Sequence, residues 1–207
     1  MSAGAERTVT LAMTGASGAQ YGLRLLECLI AADRDVHLMV TKPALIVLGT
    51  ETDQALSGRP AEASRALTAR YHAREGQLRV FGEEEWTSPV ASGSGAPRTM
   101  VVCPCSMATV AAIAAGLSDT LLERAADVVI KERGTLVLVP RETPFSAIHL
   151  ENMLKLARLG VVILPANPGF YHRPKRIEEL VDFVVARILD QIGVSHTLAP
   201  RWGHEGA

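Results

Sequence analysis

The chain has 207 residues, of which 48% are hydrophobic and 21% are charged, and this composition is typical of a soluble α/β domain that is long enough to bury a full core. Its 21 basic and 22 acidic side chains give a formal net charge of -1 at pH 7. Because no basic block or basic amphipathic stretch stands out, we expect neither nucleic acid nor a membrane surface as a partner.

The start of the chain and its cysteines indicate a cytoplasmic protein. The segment 1–8 is polar and lacks the apolar stretch of a signal peptide. Cys28, Cys103 and Cys105 are an odd number without disulfide spacing, which suits a reducing compartment. The pair Cys103 and Cys105 suggests a metal, but a closed zinc site requires about four ligands at recognisable spacing, and the histidines are scattered singly. We therefore expect no metal.

Apolar runs alternate with helical patterns along most of the chain, and each run is followed by a turn of Gly, Pro, Ser or Thr. The predicted strands are Val9–Met13, Val36–Val40, Met100–Cys103, Thr135–Val139 and Val161–Leu164. This alternation predicts an α/β fold, with a doubly wound parallel sheet and helices on both faces. The loops that follow the strands then gather at one edge of the sheet, where ligands bind.

Two stretches depart from this rhythm. Residues 55–99 contain scattered turn residues and the run Glu83-Glu84-Glu85, so we predict an excursion from the sheet within one domain that spans residues 1–193. Residues 194–207 lose their periodicity and form a predicted C-terminal tail, which is either disordered or folded over a site through Trp202.

The first predicted strand ends in Thr14-Gly15-Ala16-Ser17-Gly18 and leads into a helix. Glycines and small hydroxyl residues allow backbone N–H groups to approach a phosphate at a helix N-terminus. The spacing departs from G-x-G-x-x-G, and Thr41 follows the second strand in place of an acidic residue. The pattern favours a mononucleotide over NAD, with a tight turn that binds nothing as the alternative.

Two further loops carry polar residues at the same predicted edge. Ser106 follows the third strand and can cap the next helix, whose first N–H groups offer a second anion site. Simple capping is the competing interpretation. Arg141 and Glu142 follow the fourth strand, and adjacent opposite charges at the end of a buried strand predict a site, with a structural ion pair as the alternative.

Cations on two predicted helices are candidates to bind an anion. Arg124 and Lys131 share a helix face with Asp127 between them, a pattern that usually means a solvated salt-bridge ladder. Arg187 lies at the edge of the apolar stripe of the last helix and needs a carboxylate or a phosphate as its partner. Tyr171 can donate to a phosphate from a loop, whereas its neighbour His172 is more consistent with a structural role.

Seven strings of the sequence, in order, together resemble the UbiX-type flavin prenyltransferases over about residues 8–193. They are Thr14-Gly-Ala-Ser-Gly18, Leu48-Gly-Thr-Glu-Thr52, Ala91-Ser-Gly-Ser94, Pro104-Cys-Ser-Met-Ala-Thr109, the run 122–133, Pro140-Arg-Glu-Thr-Pro144 and the run 168–174. The resemblance implies a Rossmann-like flavoprotein fold and a homododecamer built from trimers. It also implies transfer of a dimethylallyl group to N5 and C6 of reduced FMN, which makes prenylated FMN for a UbiD-type decarboxylase and places the protein in ubiquinone biosynthesis.

Carried over by position, the resemblance also implies roles for particular residues. Those implied to hold FMN are Gly15, Ala16, Ser17, Thr41, Ser106, Met107, Ala108, Thr109 and Arg141. Those implied to hold dimethylallyl phosphate are Lys131, Glu142, Tyr171 and Arg187, with Arg124 and Gly93 as further candidates, including across a subunit boundary. Thr41 stands where the family has serine, so the hydroxyl is retained.

The implied chemistry agrees with these residue types. Lys131 and Arg187 can neutralise a leaving phosphate without a metal ion, and Glu142 can shuttle a proton. Reduced flavin itself, or Trp86, can offer an allylic cation a π face. Ser17 and Glu51 are the candidates to relay protons during ring closure.

Two other functions compete with this hypothesis. One is an FMN-dependent decarboxylase of peptidyl- or pantothenoyl-cysteine. Such enzymes carry a string similar to Pro-Ala-Ser-Ala-Asn-Thr where this chain has residues 104–109, and their Pro-x-Met-Asn motif is absent here. A non-catalytic flavin carrier would leave the joint presence of Lys131, Glu142, Tyr171 and Arg187 unexplained. The sequence does not distinguish a monophosphate donor from a pyrophosphate donor.

Overall fold

The computed structural model describes residues 7–198. Its strands are β1 Thr8–Met13, β2 Asp35–Val40, β3 Leu78–Phe81, β4 Thr99–Cys105, β5 Thr135–Pro140 and β6 Val162–Ile163. Its helices are α1 Ala19–Ala31, α2 Lys42–Glu51, α3 Pro60–Tyr71, α4 Met107–Ala115, α5 Leu121–Lys131, α6 Ala147–Arg158 and α7 Ile177–Gln191, with a 3-10 turn at Pro89–Ala91. The strands pair in parallel in the order β3-β2-β1-β4-β5-β6. The predicted doubly wound fold is confirmed.

Strand β3 corrects the predicted excursion at residues 55–99. It pairs with β2 through the register Val36↔Leu78, so this part of the range belongs to the sheet. The strand has only four residues, and Arg79 in its middle is exposed. A short edge strand with a charged side chain gives no continuous apolar run, which is why the sequence pattern did not indicate it.

The sheet separates two apolar layers because successive side chains of a strand point to opposite faces. Leu11 and Met13 pack in the layer that contains α1 and α7, whereas Ala12 packs in the layer that contains α4, α5 and α6. A capping box begins α5, since Thr120 and Glu123 each bond to the backbone of the other.

The two neighbouring cysteines of β4 lie in different layers. Cys103 packs with the first layer and Cys105 with the second, because the register of β4 shifts between Val102 and Cys105. Burial raises the pKa of both thiols. Within residues 7–198, no group of three or more His, Cys, Asp or Glu side chains could hold a metal ion.

The predicted tail is only partly described. Its first residue, Val194, is 4% exposed and belongs to the first apolar layer, so the core extends past residue 193. Trp202 lies outside the described residues. No helix within residues 7–198 has the length and apolar character needed to cross a membrane.

Candidate active site

The crevice between the loops after β1 and β4 is the centre of the candidate site. These strands are neighbours. From β1 the chain continues to β2 on one side, and from β4 it continues to β5 on the other side. This divergence opens a ligand crevice in doubly wound folds. The side chain of Thr14 joins the two loops: its Oγ1 donates to the Pro104 carbonyl at 3.0 Å and accepts from the Ser106 amide at 2.8 Å. Sequence reasoning missed this role, although a threonine at a buried strand end was a signal for it.

Hydroxyl residues stand at the beginnings of α2 and α4. Thr41 Oγ1 accepts from the Ala44 amide at 3.3 Å, and Ser106 Oγ accepts from the Thr109 amide at 3.3 Å. The hydroxyls of Ser106 and Thr109 lie 3.0 Å apart. The predicted cap at Ser106 is confirmed. Since β2, β1 and β4 are adjacent, these helix N-termini face the same edge of the sheet.

The N-terminus of α1 already holds a carboxylate. Oε2 of Glu51 accepts from the Gly18 amide at 2.8 Å and from the Ala19 amide at 3.0 Å. These two N–H groups are therefore engaged, which corrects the prediction that they receive a phosphate. The correction comes from a contact across 33 residues that local sequence patterns do not reveal.

The same contacts bring the predicted relay residues Ser17 and Glu51 together. Burial opposes ionisation of Glu51, but hydrogen bonds from the Ser17 side chain and from the two amides outweigh it and lower the pKa of the carboxyl. The positive charge of Arg141 lowers this pKa further. Glu51 is thus held as a carboxylate by the Ser17 hydroxyl and the two amides, and the charge of Arg141 adds to this effect.

Glycine is required at two positions of the first loop. A Cβ on Gly15 would lie 2.4 Å from the Cβ of Pro43, and Gly18 has a φ of +103°, a region that other residues rarely adopt. Ala16 between them is buried. The loop therefore passes closely beneath the start of α2, as expected of a backbone that approaches a ligand.

Arg141 and Glu142 lie at the end of β5, beside the crevice. The Arg141 amide donates to the Cys105 carbonyl at 3.3 Å, and Glu142 Oε1 accepts from the Thr143 amide at 3.1 Å. Among the described residues neither side chain takes part in an ion pair. The two side chains therefore do not form the structural ion pair that was the alternative interpretation.

The remaining predicted cations are paired with carboxylates close to them in sequence. Arg124 pairs with Asp127 at 2.8 Å and also donates to the Ala91 carbonyl at 3.1 Å. Lys131 pairs with Glu132, beside Gly93, where a Cβ would lie 2.8 Å from the lysine Nζ. The structure therefore brings Gly93, Arg124 and Lys131 together on one side of α5.

One chain does not bring Lys131 and Glu142 together. Lys131 is the last residue of α5 and precedes β5, whereas Glu142 follows that strand. β5 has six residues, and a strand of that length spans roughly 20 Å. The two residues therefore lie at opposite ends of the parallel strands, Lys131 near the amino end of β5 and Glu142 near its carboxyl end. The position of Lys131 directly before a predicted strand was the signal for this separation.

Tyr171 and Arg187 both lie near Phe183. The rings of Tyr171 and Phe183 meet edge to face with centroids 5.7 Å apart, and His172 stacks on Phe183 at 5.6 Å, a packing contact that fits its predicted structural role. Arg187 lines a cavity of about 270 Å³ together with Phe183 and Asn167. Its guanidinium pairs with Asp190 at 2.6 Å. Of the two predicted partners, a carboxylate or a phosphate, the chain itself therefore supplies a carboxylate.

Trp86, the candidate π surface, is 46% exposed. It directly follows Glu85, which lines a cavity of about 450 Å³ with Lys42 and Phe81. This cavity adjoins Thr41 along the edge of the sheet. Sequence reasoning did not indicate it, because most of its walls come from the stretch that was predicted to leave the sheet.

Comparisons with known proteins identify the family. A model of the flavoprotein family matches residues 2–189. The flavin prenyltransferase UbiX of Pseudomonas aeruginosa is 59% identical over 202 residues, which cover 98% of this chain and 96% of that protein. The chain belongs to the UbiX-type flavoprotein family. The UbiX flavin prenyltransferase of Methanothermobacter thermautotrophicus is 43% identical to this UbiX-type chain and covers 95% of each protein.

Solved structures agree with the UbiX-type assignment. AnUbiX (PadA1) in complex with FMN and dimethylallyl pyrophosphate matches with a TM-score of 0.85 and 41% identity, over 97% of this chain and 99% of that one. A PPC decarboxylase complexed with pantothenoylaminoethenethiol matches with a TM-score of 0.57 and 20% identity, over 78% and 82%. At that identity the decarboxylase shares the fold alone, and nothing further favours the competing cysteine decarboxylase.

Proposed function

We propose that this protein is a flavin prenyltransferase, which joins a dimethylallyl group from dimethylallyl phosphate to N5 and C6 of reduced FMN. The observation that carries the proposal is the crevice at the ends of β1, β4 and β5, in a chain that aligns over 98% of its length with a flavin prenyltransferase. The crevice combines hydroxyls at two helix N-termini with the Ser17–Glu51 pair and the nearby charge of Arg141.

The residues at the crevice fit a flavin mononucleotide. The N-termini of α2 and α4 supply hydroxyls and positive potential for one phosphate, whereas Glu51 fills the N-terminus of α1. In the proposed site Gly15, Ala16 and Ser17 pass beneath the bound flavin. The other groups proposed to hold FMN are Thr41, Ser106, Met107, Ala108, Thr109 and Arg141.

Reduced FMN supplies the nucleophilic atoms, and the side chains supply charge and protons. Lys131 and Arg187 neutralise the phosphate as the allylic C–O bond breaks, and Tyr171 donates a hydrogen bond to it. Glu142 acts as the proton shuttle to the departing phosphate. Ser17 and Glu51 relay the protons of ring closure, in which the prenyl double bond takes up one proton as its other carbon bonds to C6, and C6 releases one. Glu51 already bonds to the serine, so a proton can pass between the two.

A second copy of the chain completes the site in this proposal. Lys131 lies at the opposite end of β5 from Glu142, so we assign the group of Gly93, Arg124 and Lys131 to the active site of a neighbouring subunit. A UbiX-like protein of Escherichia coli O157:H7, 41% identical to this chain, is a dodecamer, and we propose the same assembly here.

The cellular context is also part of the proposal. The product, prenylated FMN, serves a UbiD-type decarboxylase, with ubiquinone biosynthesis as the setting and the cytoplasm as the compartment. No metal takes part, since the leaving phosphate is neutralised by side chains. Residues 1–193 are proposed as the flavoprotein domain and residues 194–207 as its tail, whose first residue, Val194, packs in the core of that domain.

Anaerobic incubation of the purified protein with reduced FMN and dimethylallyl phosphate tests the function. Mass spectrometry of the released flavin should show the gain of one C5H8 unit. Glu142→Gln should bind FMN but form much less product, because the proton shuttle is lost. Unmodified flavin under verified reduction, with FMN still bound, would overturn the proposal and leave the carrier or decarboxylase hypothesis.

A further inference from the structure

The last turn of α7 carries a chain of polar contacts that the proposed mechanism does not use. Arg187 Nη1 donates to Asp190 Oδ2 at 2.6 Å. The other carboxylate oxygen, Oδ1, lies 3.2 Å from Nε2 of His196. The Leu198 amide donates to Nδ1 of the same imidazole at 3.4 Å. Because Nδ1 accepts, Nε2 carries the proton and donates to Asp190.

Burial rises along this chain of contacts toward the tail. The side chain of Arg187 is 54% exposed and that of Asp190 is 31% exposed, whereas that of His196 is 9% exposed. Val194 is buried, and Leu198 packs against the same apolar layer. The segment 194–198 is therefore docked on the body of the protein, and its imidazole is the innermost member of the group.

We propose that Asp190 and His196 are positioning residues that hold the guanidinium of Arg187 ready for the phosphate of the allylic donor. This inference rests on the proposed function. A guanidinium has five N–H donors, of which one is used by Asp190, so the others remain for a phosphate. A long arginine side chain otherwise loses rotamer freedom when it binds, and orienting it beforehand removes that loss.

Asp190 also has an opposing effect, because its negative charge repels a phosphate. Two features reduce it. His196 donates to Oδ1 and so offsets part of the charge while it directs Oδ2 toward Arg187. Water screens the repulsion because more than half of the Arg187 side chain is exposed. Orientation is therefore the larger effect, and loss of the imidazole should weaken donor binding.

Steady-state kinetics on the full chain test the inference. The rate of prenylated FMN formation is measured against the dimethylallyl phosphate concentration for the wild type, Arg187→Ala, His196→Ala, His196→Gln and the double variant of Arg187→Ala with His196→Ala. Arg59→Ala serves as the control, since Arg59 forms an exposed pair of the same spacing with Glu62 on α3 and should leave the donor KM unchanged.

We expect His196→Ala to raise the donor KM by about tenfold, with kcat and the Kd for FMN within about twofold of the wild type. His196→Gln should restore most of the affinity because its amide can donate to Asp190. In the Arg187→Ala background, His196→Ala should have no further effect.

Several outcomes would overturn the inference. An equal rise in KM with and without Arg187, or a parallel loss of FMN affinity, would show that the segment merely holds the fold. A donor KM that Arg187→Ala leaves unchanged in an active enzyme would remove the assignment of Arg187, and this inference with it. A wild-type protein that forms no prenylated FMN would instead overturn the proposed function on which the inference depends.

Discussion

Oε2 of Glu51 lies 2.8 Å from the amide nitrogen of Gly18, so the last residue of α2 closes the first turn of α1. In most nucleotide-binding sheets that turn is where a phosphate binds. Here the chain provides the anion itself. The beginnings of α2 and α4 are left to receive a ligand phosphate, which agrees with a flavin that carries only one.

Glu51→Gln should lower stability at neutral pH, and the loss should be smaller in acid. The folded-state pKa of Glu51 is lowered, so its contribution is present above the unfolded pKa of about 4.3 and is lost as the pH falls through the folded pKa. Urea unfolding at pH 7 should show a loss of about 1 kcal/mol, which shrinks near pH 3. The control Glu84→Gln changes an exposed side chain and should show no such trend. A loss of equal size at both pH values would contradict the prediction.

Co-expression of two inactive variants tests the shared active site. Lys131→Ala and Glu142→Gln should each reduce prenylation strongly when expressed alone. In mixed oligomers, some sites combine an intact Lys131 from one chain with an intact Glu142 from its neighbour, so activity should return. Placing both changes in one chain and co-expressing it with either single variant is the control, and it restores no complete site. Failure of the mixed oligomers to regain activity would argue that both residues act within one chain.

Two glycines offer a matched pair of alanine substitutions. Gly15→Ala places a Cβ 2.4 Å from Pro43, so it should cost about 1–3 kcal/mol and weaken FMN binding. Gly49→Ala lies inside α2 with nothing within 4 Å of the new Cβ, and should stabilise the protein by about 0.5–1 kcal/mol. Urea unfolding and FMN titration measure both effects. A neutral Gly15→Ala would show that the loop can shift away from α2.

The sequence predicted the strands that have long apolar runs, together with local signals such as the cap at Ser106. These features depend on residues close together in the chain, which is why pattern reasoning finds them. β3 escaped it because an edge strand needs only four residues and tolerates Arg79. The bond between Glu51 and Gly18 also escaped it, since only the folded sheet brings α2 back to the start of α1.

The candidate site was likewise predicted only in part. Resemblance supplied a list of residues, and the structure separated that list into the crevice around Ser17 and Arg141 and the group on α5 that contains Lys131. A list of positions carries no information about which chain each member comes from. The order of α5 and β5 places Lys131 and Glu142 a full strand apart within one chain, and this separation is the ground for proposing that a neighbouring subunit supplies Lys131.

The hydroxyl of Thr14 both donates to and accepts from the backbone of the loop after β4. The floor of the crevice is therefore one rigid unit that cannot widen without breaking buried hydrogen bonds. Any movement that admits a ligand or releases a product falls to the rim, where the segment 141–146 is largely exposed and the loop 168–174 is partly exposed. Exchange should accordingly respond to changes in these two rim segments and be insensitive to the packing beneath them.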